Sequence, residues 1–435
     1  MSRRLLGVAV TATLAVTLTG CGSGGSGSDN ALEIWIRQAP ESDSAKTAVK
    51  LADAFTKASG IKTKVVALFD DFETKLNQQA AQKQLPDIVI NDTAQLGNMH
   101  SQGWLREVDK ATLAGGDKLS DRAWMAAQGA DGKYYAAPFS AQSFAMIVRK
   151  DWREKVGMEP PKTWEDLTKL AQAFTEKDPD GNGQADTSGF VAPAGTKRGY
   201  ASWYASSFIY ANGGDFVKST GGGKFQATVN DPKTVEAVQY LQDQFCKTKT
   251  VNPGAVSNDT TVTHEVFEKG QGGIYVVGPY VLARFVKSIG TDKIEVLPVP
   301  QGPTGGPGTL GEGENVYMMV GSDQEDAQKK FAEYAISPEG QKIGMNKDAN
   351  GAIVRLPVNT EVDMAGERQD PRWQVFQDAF ANAVYAPPVP NWAPIRQDSA
   401  DAINAVWADC SADVKTTMDQ LNTKLTQELQ SQKAS

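Results

Sequence analysis

The segment Ala31-Leu-Glu-Ile-Trp-Ile-Arg37 alternates strictly, with Leu32, Ile34 and Ile36 on one face, as a half-buried strand does. From Ser44 to Ser59 the period becomes helical. Leu51, Phe55 and Ala58 fall on one side, and Gly60 stops the run. Ile61 to Leu68 reads as a second strand, Phe72 to Gln82 as a second helix, and Asp87-Ile-Val-Ile90 as a short buried strand. This order predicts an α/β fold with a mostly parallel sheet covered by helices. Ligands of such sheets sit beyond the carboxyl ends of the strands. Here those ends are the loops Gln38 to Ser42, Phe69 to Asp71 and Asn91 to Gln95, so Gln38, Asp70, Asp71, Asp92 and Gln95 become candidate polar contacts.

A second α/β region follows Pro138. Phe144 to Val148 reads as a strand, and Thr163 caps a helix with Leu167, Leu170, Ala171 and Phe174 on its apolar side. Further helices are expected at Ala201 to Tyr210, Pro232 to Phe245, Asp323 to Ala335 and Ala400 to Ala408. Strands are expected at Gly273 to Val277, Ile294 to Val299 and Asn315 to Val320. Leu297 to Leu310 and Ala386 to Pro394 are rich in Pro or Gly and read as crossings or loops, and Gly213 to Gly223 as a surface hairpin or loop.

Composition narrows the function. With 435 residues there is room for two compact lobes, and 40% hydrophobic with 22% charged residues is ordinary for a globular chain. The formal net charge of −8, with no basic block, argues against nucleic-acid binding, which needs clustered Lys and Arg. His100 and His264 are the only histidines, which weakens zinc or His-dependent triad chemistry. The balance leans toward a binder rather than an enzyme.

The first 20 residues read as a secretory signal, with Arg3-Arg4 ahead of the apolar run Leu5 to Leu18. Leu18-Thr-Gly-Cys21 resembles the lipobox of bacterial lipoproteins, which implies lipidation of Cys21, and residues 21–29 then form a Gly/Ser-rich tether. The expected location is extracytoplasmic, on the outer face of the cell membrane. Cys246 and Cys410 remain as an even pair in an oxidising compartment, which predicts a disulfide across a long loop rather than two buried thiols.

Several short segments, in order, carry a resemblance: Leu85-Pro-Asp-Ile-Val-Ile90, Gly132-Lys-Tyr-Tyr-Ala-Ala-Pro138, Pro161-Lys-Thr-Trp-Glu-Asp-Leu167, Phe267-Glu-Lys-Gly270, Gly278-Pro-Tyr280 and Ser337-Pro-Glu-Gly-Gln341. Together they resemble the maltose-binding-protein-like extracellular solute-binding proteins (family 1), receptors of ABC importers. The resemblance implies a periplasmic-binding-protein-like fold, two α/β lobes joined by a hinge of about three crossings. By that analogy residues 30–138 and 299–335 form lobe one, and 139–298 and 336–435 form lobe two. The hinges are expected at Ala137-Pro138, Leu297-Pro-Val-Pro300 and near Ser337-Pro338. It also implies a monomer that binds a carbohydrate between its lobes and hands it to membrane permease subunits. ATP hydrolysis would belong to the partner, since the chain has no G-x-x-x-x-G-K-[ST] loop.

Sugars need flat aromatic platforms and side chains that both donate and accept hydrogen bonds. The resemblance points to Trp392, Tyr280, Trp203 and Tyr204 as platforms. It points to Gln142 as a polar contact, where the family carries a Glu, while Glu312, Glu314, Asn315 and Arg396 flank the returning strand and the Trp392 loop. With Gln142 for Glu and Asn91 for an aromatic, maltose itself is not implied. Separately, Asp178-Pro-Asp180-Gly-Asn182-Gly-Gln184-Ala-Asp186 matches the start of an EF-hand loop and predicts a structural calcium. Position twelve is Gly189 rather than Glu, so Asp215 is a candidate to complete the shell. No catalytic cofactor is expected. Two rivals stay open: a secreted glycoside hydrolase with paired carboxylates, and a receptor of the same fold for a peptide, amino acid or polyol.

Overall fold

The computed structural model describes residues 31–345 and 352–435. The opening alternation becomes strand β1 (Leu32–Arg37), joined in parallel to β2 (Thr63–Leu68) on one side and β3 (Ile88–Asp92) on the other. Between β1 and β2 runs the helix Asp43–Ser59. Ser42 caps it by accepting from the Ala45 N–H, and Gly60 ends it at φ 76°, a left-handed turn that suits glycine. Its buried Phe55 meets Phe331 edge-on at 5.3 Å, so this helix and Glu325–Ile336 share one core against the sheet.

The sheet is less parallel than its first three strands suggest. It continues with β4 (Ala137–Ser143), and the chain then leaves for a second sheet built on β5 (Ala145–Arg149). That sheet also holds β6 (Ser188–Phe190), beyond which β7 (Val217–Gly221) and β8 (Lys224–Ala227) form the expected hairpin. β9 (Gly272–Val277) and β10 (Ile294–Leu297) complete it in the order β10-β5-β9-β6. The chain then returns through β11 (Gly311–Met318) and β12 (Leu356–Pro357) to the first sheet, whose order is β12-β4-β11-β3-β1-β2. β11 runs antiparallel to both β3 and β4, so the expectation of a mostly parallel sheet holds only for β1 to β3.

Each sheet with its helices is one lobe. Pro138 lies within β4, opposite Asn315, at a register shift in β11, where a missing N–H is tolerated. The first crossing is therefore at Phe144, between β4 and β5, rather than at Ala137-Pro138. The third also moves. The helix Pro338–Lys342 stays with lobe one, because the Gln341 amide donates to Phe139 O and Ala335 O and its oxygen accepts from the Val358 N–H. The passage to lobe two comes with the helix Arg372–Phe380, which packs on β4, β5 and β10. Between β10 and β11 the chain passes from the second sheet back to the first.

Lobe two is thick with helices: Trp164–Glu176, Tyr200–Ala211, Pro232–Cys246, Trp392–Ala408 and Val414–Ser431. Thr163 and Asp166 form a reciprocal capping box on the first of these. Asn391 caps Trp392–Ala408, which starts eight residues before the expected Ala400, with Pro394 accommodated in its first turn. Cys246 and Cys410 are joined, with Cα atoms 5.4 Å apart, tying the end of the helix Pro232–Cys246 to the turn after Trp392–Ala408 across a sequence separation of 164 residues.

Candidate functional site

The facing edges of the two lobes enclose a cavity of about 720 Å³, its mouth included. Its lobe-one lining includes Gly311 and Glu312 at the start of β11, together with Thr93, Ala94, Leu96 and Met125. A Cβ on Gly313 would sit 2.0 Å from Ser140 O, so only glycine lets β11 approach β4 this closely there. The spacing by two places Glu312 and Glu314 on the same face. Glu312 accepts from the Trp203 indole N–H at 2.9 Å and from the Gln142 amide at 3.1 Å. Glu314 accepts from the Gln38 amide at 3.0 Å and lies 3.6 Å from the Arg355 guanidinium. Burial pushes both carboxyls above the usual range, against the pull of Arg396 on Glu312 and of Arg355 on Glu314.

Lobe two contributes the opposite wall from two helices. Tyr200–Ala211 presents Ser202, Trp203, Ser206 and Tyr210, and Trp392–Ala408 presents Trp392, Arg396 and Ser399. Gly199 has φ 75°, and a Cβ there would lie 2.5 Å from Arg396 Cγ, so this glycine clears the space the arginine occupies. The Trp203–Glu312 hydrogen bond spans the cleft from one lobe to the other. Four polar atoms at the site have no hydrogen-bond partner among the described residues: Gln142 Oε1, Glu314 Oε2, Arg396 Nε and Ser399 Oγ. Buried polar groups of this kind are costly unless something pairs with them.

The expected site residues divide into three groups. Trp203, Trp392 and Arg396 line the cavity, while Gln142, Gln38 and Glu314 join its lobe-one network. Tyr280 carries the Arg355 guanidinium 5.7 Å above its ring, and Asp92 ends β3 in an ion pair with Arg37 at 2.9 Å. Gln95 closes the short turn Thr93–Gln95, in which Thr93 and Ala94, not Gln95, face the cavity. Two expectations are corrected. Tyr204, next to Trp203, points the other way, 2% exposed among Phe208 and Trp407, because adjacent helical residues diverge. Asp71 is solvent-exposed and pairs with Lys75 at 2.7 Å one turn along its own helix.

Sequence reasoning missed Tyr210, Phe216, Tyr385 and Arg355. Tyr210 was within reach, since Trp203, Ser206 and Tyr210 follow helical spacing. Arg355 was not, because it arrives only through β12 pairing with β4 and the bond from its N–H to Ser140 Oγ.

The calcium loop finds no matching donor set. Among the described residues no group of three or more His, Cys, Asp or Glu is placed to hold a metal ion. Asp178 is occupied by the N–H groups of Gly181, Asn182 and Gly183. The Asn182 amide turns its N–H₂ toward Asp180 and Asp186, and the Asn182 oxygen accepts from the Gln184 N–H. Asp215 sits elsewhere, its backbone held by Thr234. The residues form a self-capped turn that does not fit the ion. Cys21 and the leader lie outside the described residues.

Residues 39–342 match the family model described as bacterial extracellular solute-binding protein. The chain belongs to that family. Among similar solute-binding proteins, one of Brucella abortus (strain 2308), named only as a binding protein, is 24% identical over 64% of each chain, so this chain spans about 64% of that relative's length. The maltotriose-binding protein of Pyrococcus abyssi is 25% identical over 78% of this chain and 69% of its own. The GacH receptor of Streptomyces glaucescens, solved unliganded and with acarbose, superposes with a TM-score of 0.76 at 21% identity over 92% of this chain and 98% of that one. That likeness establishes the two-lobed binding-protein fold. The family's description as extracellular places this chain outside the cytoplasm.

Proposed function

We propose that this chain is the receptor of an ABC importer, binding a carbohydrate of oligosaccharide size between its lobes and passing it unchanged to membrane permease subunits. One observation carries the reading: the buried acceptor Glu312, on the lobe-one side of the cavity, faces a wall of indole and phenol rings, Trp203, Tyr210 and Trp392, and Trp203 is already bonded across to it. A sugar offers hydroxyls to the first and a C–H face to the second. The name of the Pyrococcus relative supports the same ligand class. The reading includes a lipid anchor at Cys21, a monomeric receptor, and hinges at the three crossings. A ligand touching both walls binds the closed form more tightly than the open one, so it shifts the population toward closure.

The hydrolase alternative is disfavoured by placement. Glu312 and Glu314 stand on one face of one strand, already engaged by Trp203, Gln142 and Gln38, whereas hydrolysis needs two carboxyls flanking the scissile bond. A thermal-shift panel of malto-, fructo- and other oligosaccharides, peptides, amino acids and polyols tests the proposal. We expect a rise in Tm with one class of oligosaccharide and no product on prolonged incubation. Stabilisation by peptides or amino acids alone, or release of shorter sugars, would overturn it.

A further inference from the structure

The central cavity opens into a second space. Met125, Gln128 and the stretch Tyr385–Pro388 border both the cavity and a groove of about 1010 Å³, its mouth included. Beyond those shared residues the groove runs between Arg122 and Ala130 on one side and Ser219 and Phe225 of the β7–β8 hairpin on the other. Hydrogen-bonding groups continue along it. Arg122 holds Ala381 O and Ala383 O through Nε and Nη1, and the Gln128 amide donates to Gly132 O, so both side chains are fixed beside the groove. The Asn382 side-chain amide is exposed there and has no hydrogen-bond partner among the described residues. Both lobes build this groove. Arg122 and Met125 belong to the lobe-one helix Asp121–Met125, whereas the hairpin is held to lobe two, where the Phe225 N–H donates to Ala434 O beyond the helix Val414–Ser431. The hairpin tip reaches back to lobe one: a Cβ on Gly223 would lie 4.0 Å from Ala130 Cβ. The cleft therefore runs on past its cavity, still between the two lobes.

Resting on the carbohydrate reading, we propose that the ligand is a linear oligosaccharide longer than the cavity holds. Its first sugars lie against Trp203 and Trp392, and the rest pass Tyr385 and follow the groove toward the hairpin. Each sugar of a chain presents hydroxyls anew, so a chain needs polar partners along its whole length. Gln128, Asn382 and Arg122 continue outside the cavity what Glu312 begins within it. Because each lobe supplies one side of the groove, sugars seated there favour the closed form over the open one, and every sugar that fits adds to closure.

The test is isothermal titration calorimetry of the full chain with maltose, maltotriose, maltopentaose and maltoheptaose. Fructo- and cello-oligosaccharides of the same lengths are titrated beside them, as is any other class that stabilises the chain in the thermal panel. In the class that binds, we expect the longest members to bind roughly tenfold or more tighter than the shortest. Asn382→Trp and Ser219→Trp fill the groove from positions outside the cavity lining, and should erase that gain while keeping the affinity of the shortest member. Two variants on separate segments guard against one misfolding. Affinity that is equal at all lengths or falls with length, or a gain that survives both substitutions, overturns the inference and leaves the carbohydrate reading standing. Absence of binding by every class removes both.

Discussion

On the lobe-one side of the cleft Glu312 stands on a strand, bonded to Gln142, with Thr93, Leu96 and Met125 also in the lining, whereas the lobe-two side is made of helices and carries Trp203, Tyr210 and Trp392. The difference follows from what each element does well. Ladder hydrogen bonds hold a strand end in place, so acceptors on it stand ready for hydroxyls before any ligand arrives. A helix sets residues of one face a turn apart, which suits a row of flat rings. The lobes also differ in how they are fastened: the disulfide between Cys246 and Cys410 lies wholly within lobe two. Neither wall makes a site alone.

The largest expected effect breaks that difference in fastening. Replacing Cys246 and Cys410 together by Ser should lower stability by about 2–4 kcal/mol, read by denaturant unfolding, with the early loss confined to lobe-two signals. A uniform loss across both lobes would contradict the division drawn here. Next comes the aromatic wall. Trp203→Ala removes both a ring and the bond to Glu312, and should weaken sugar affinity roughly 10- to 100-fold in calorimetry, in line with buried aromatic anchors elsewhere.

The acceptor wall should respond more gently, and through pH. Burial holds the Glu314 carboxyl above its ordinary range, so it takes up a proton earlier on acidification and Oε2 ceases to be a free acceptor. Sugar affinity should therefore fall on acidification. Glu314→Gln should lose less than tenfold at neutral pH and show a flatter pH profile. An unchanged profile would remove Glu314 from the site.

The smallest effect lies in the lobe-two interior. Burial raises the Asp215 carboxyl to about 6 from an ordinary 3.8, so its folded form binds a proton more tightly than its unfolded form. The stability it contributes is complete below about pH 4 and is lost as pH rises through 6. Asp215→Asn keeps an oxygen for the Phe216 N–H and should add about 1 kcal/mol at pH 7.5 but little at pH 4.5. Equal gains at both pH values would place the effect elsewhere.

Much of the fold was legible because its strands and helices carry one buried face. β1 alternates, and Trp164–Glu176 announces itself through Thr163 and a stripe ending in Phe174. β4 was hidden by the opposite circumstance: all seven of its residues are buried, so no alternation marks it, and Pro138 inside it looked like a hinge. The helix Val414–Ser431 was passed over although Val414, Met418, Leu421, Leu425 and Leu429 repeat every three or four residues. At the site, residues next to strand ends were found, as with Gln38 and Glu314. Arg355 could not be, because long-range pairing and not local sequence delivers it.

The central claim is that a sugar is held by both walls at once and draws them together. Double electron–electron resonance between spin labels at Lys57 on lobe one and Lys169 on lobe two measures this directly, both positions being exposed. With saturating sugar, taken as the best stabiliser of the thermal panel, the account predicts a distance distribution that shifts shorter and narrows. A distribution that stays unchanged while the sugar is demonstrably bound would contradict it.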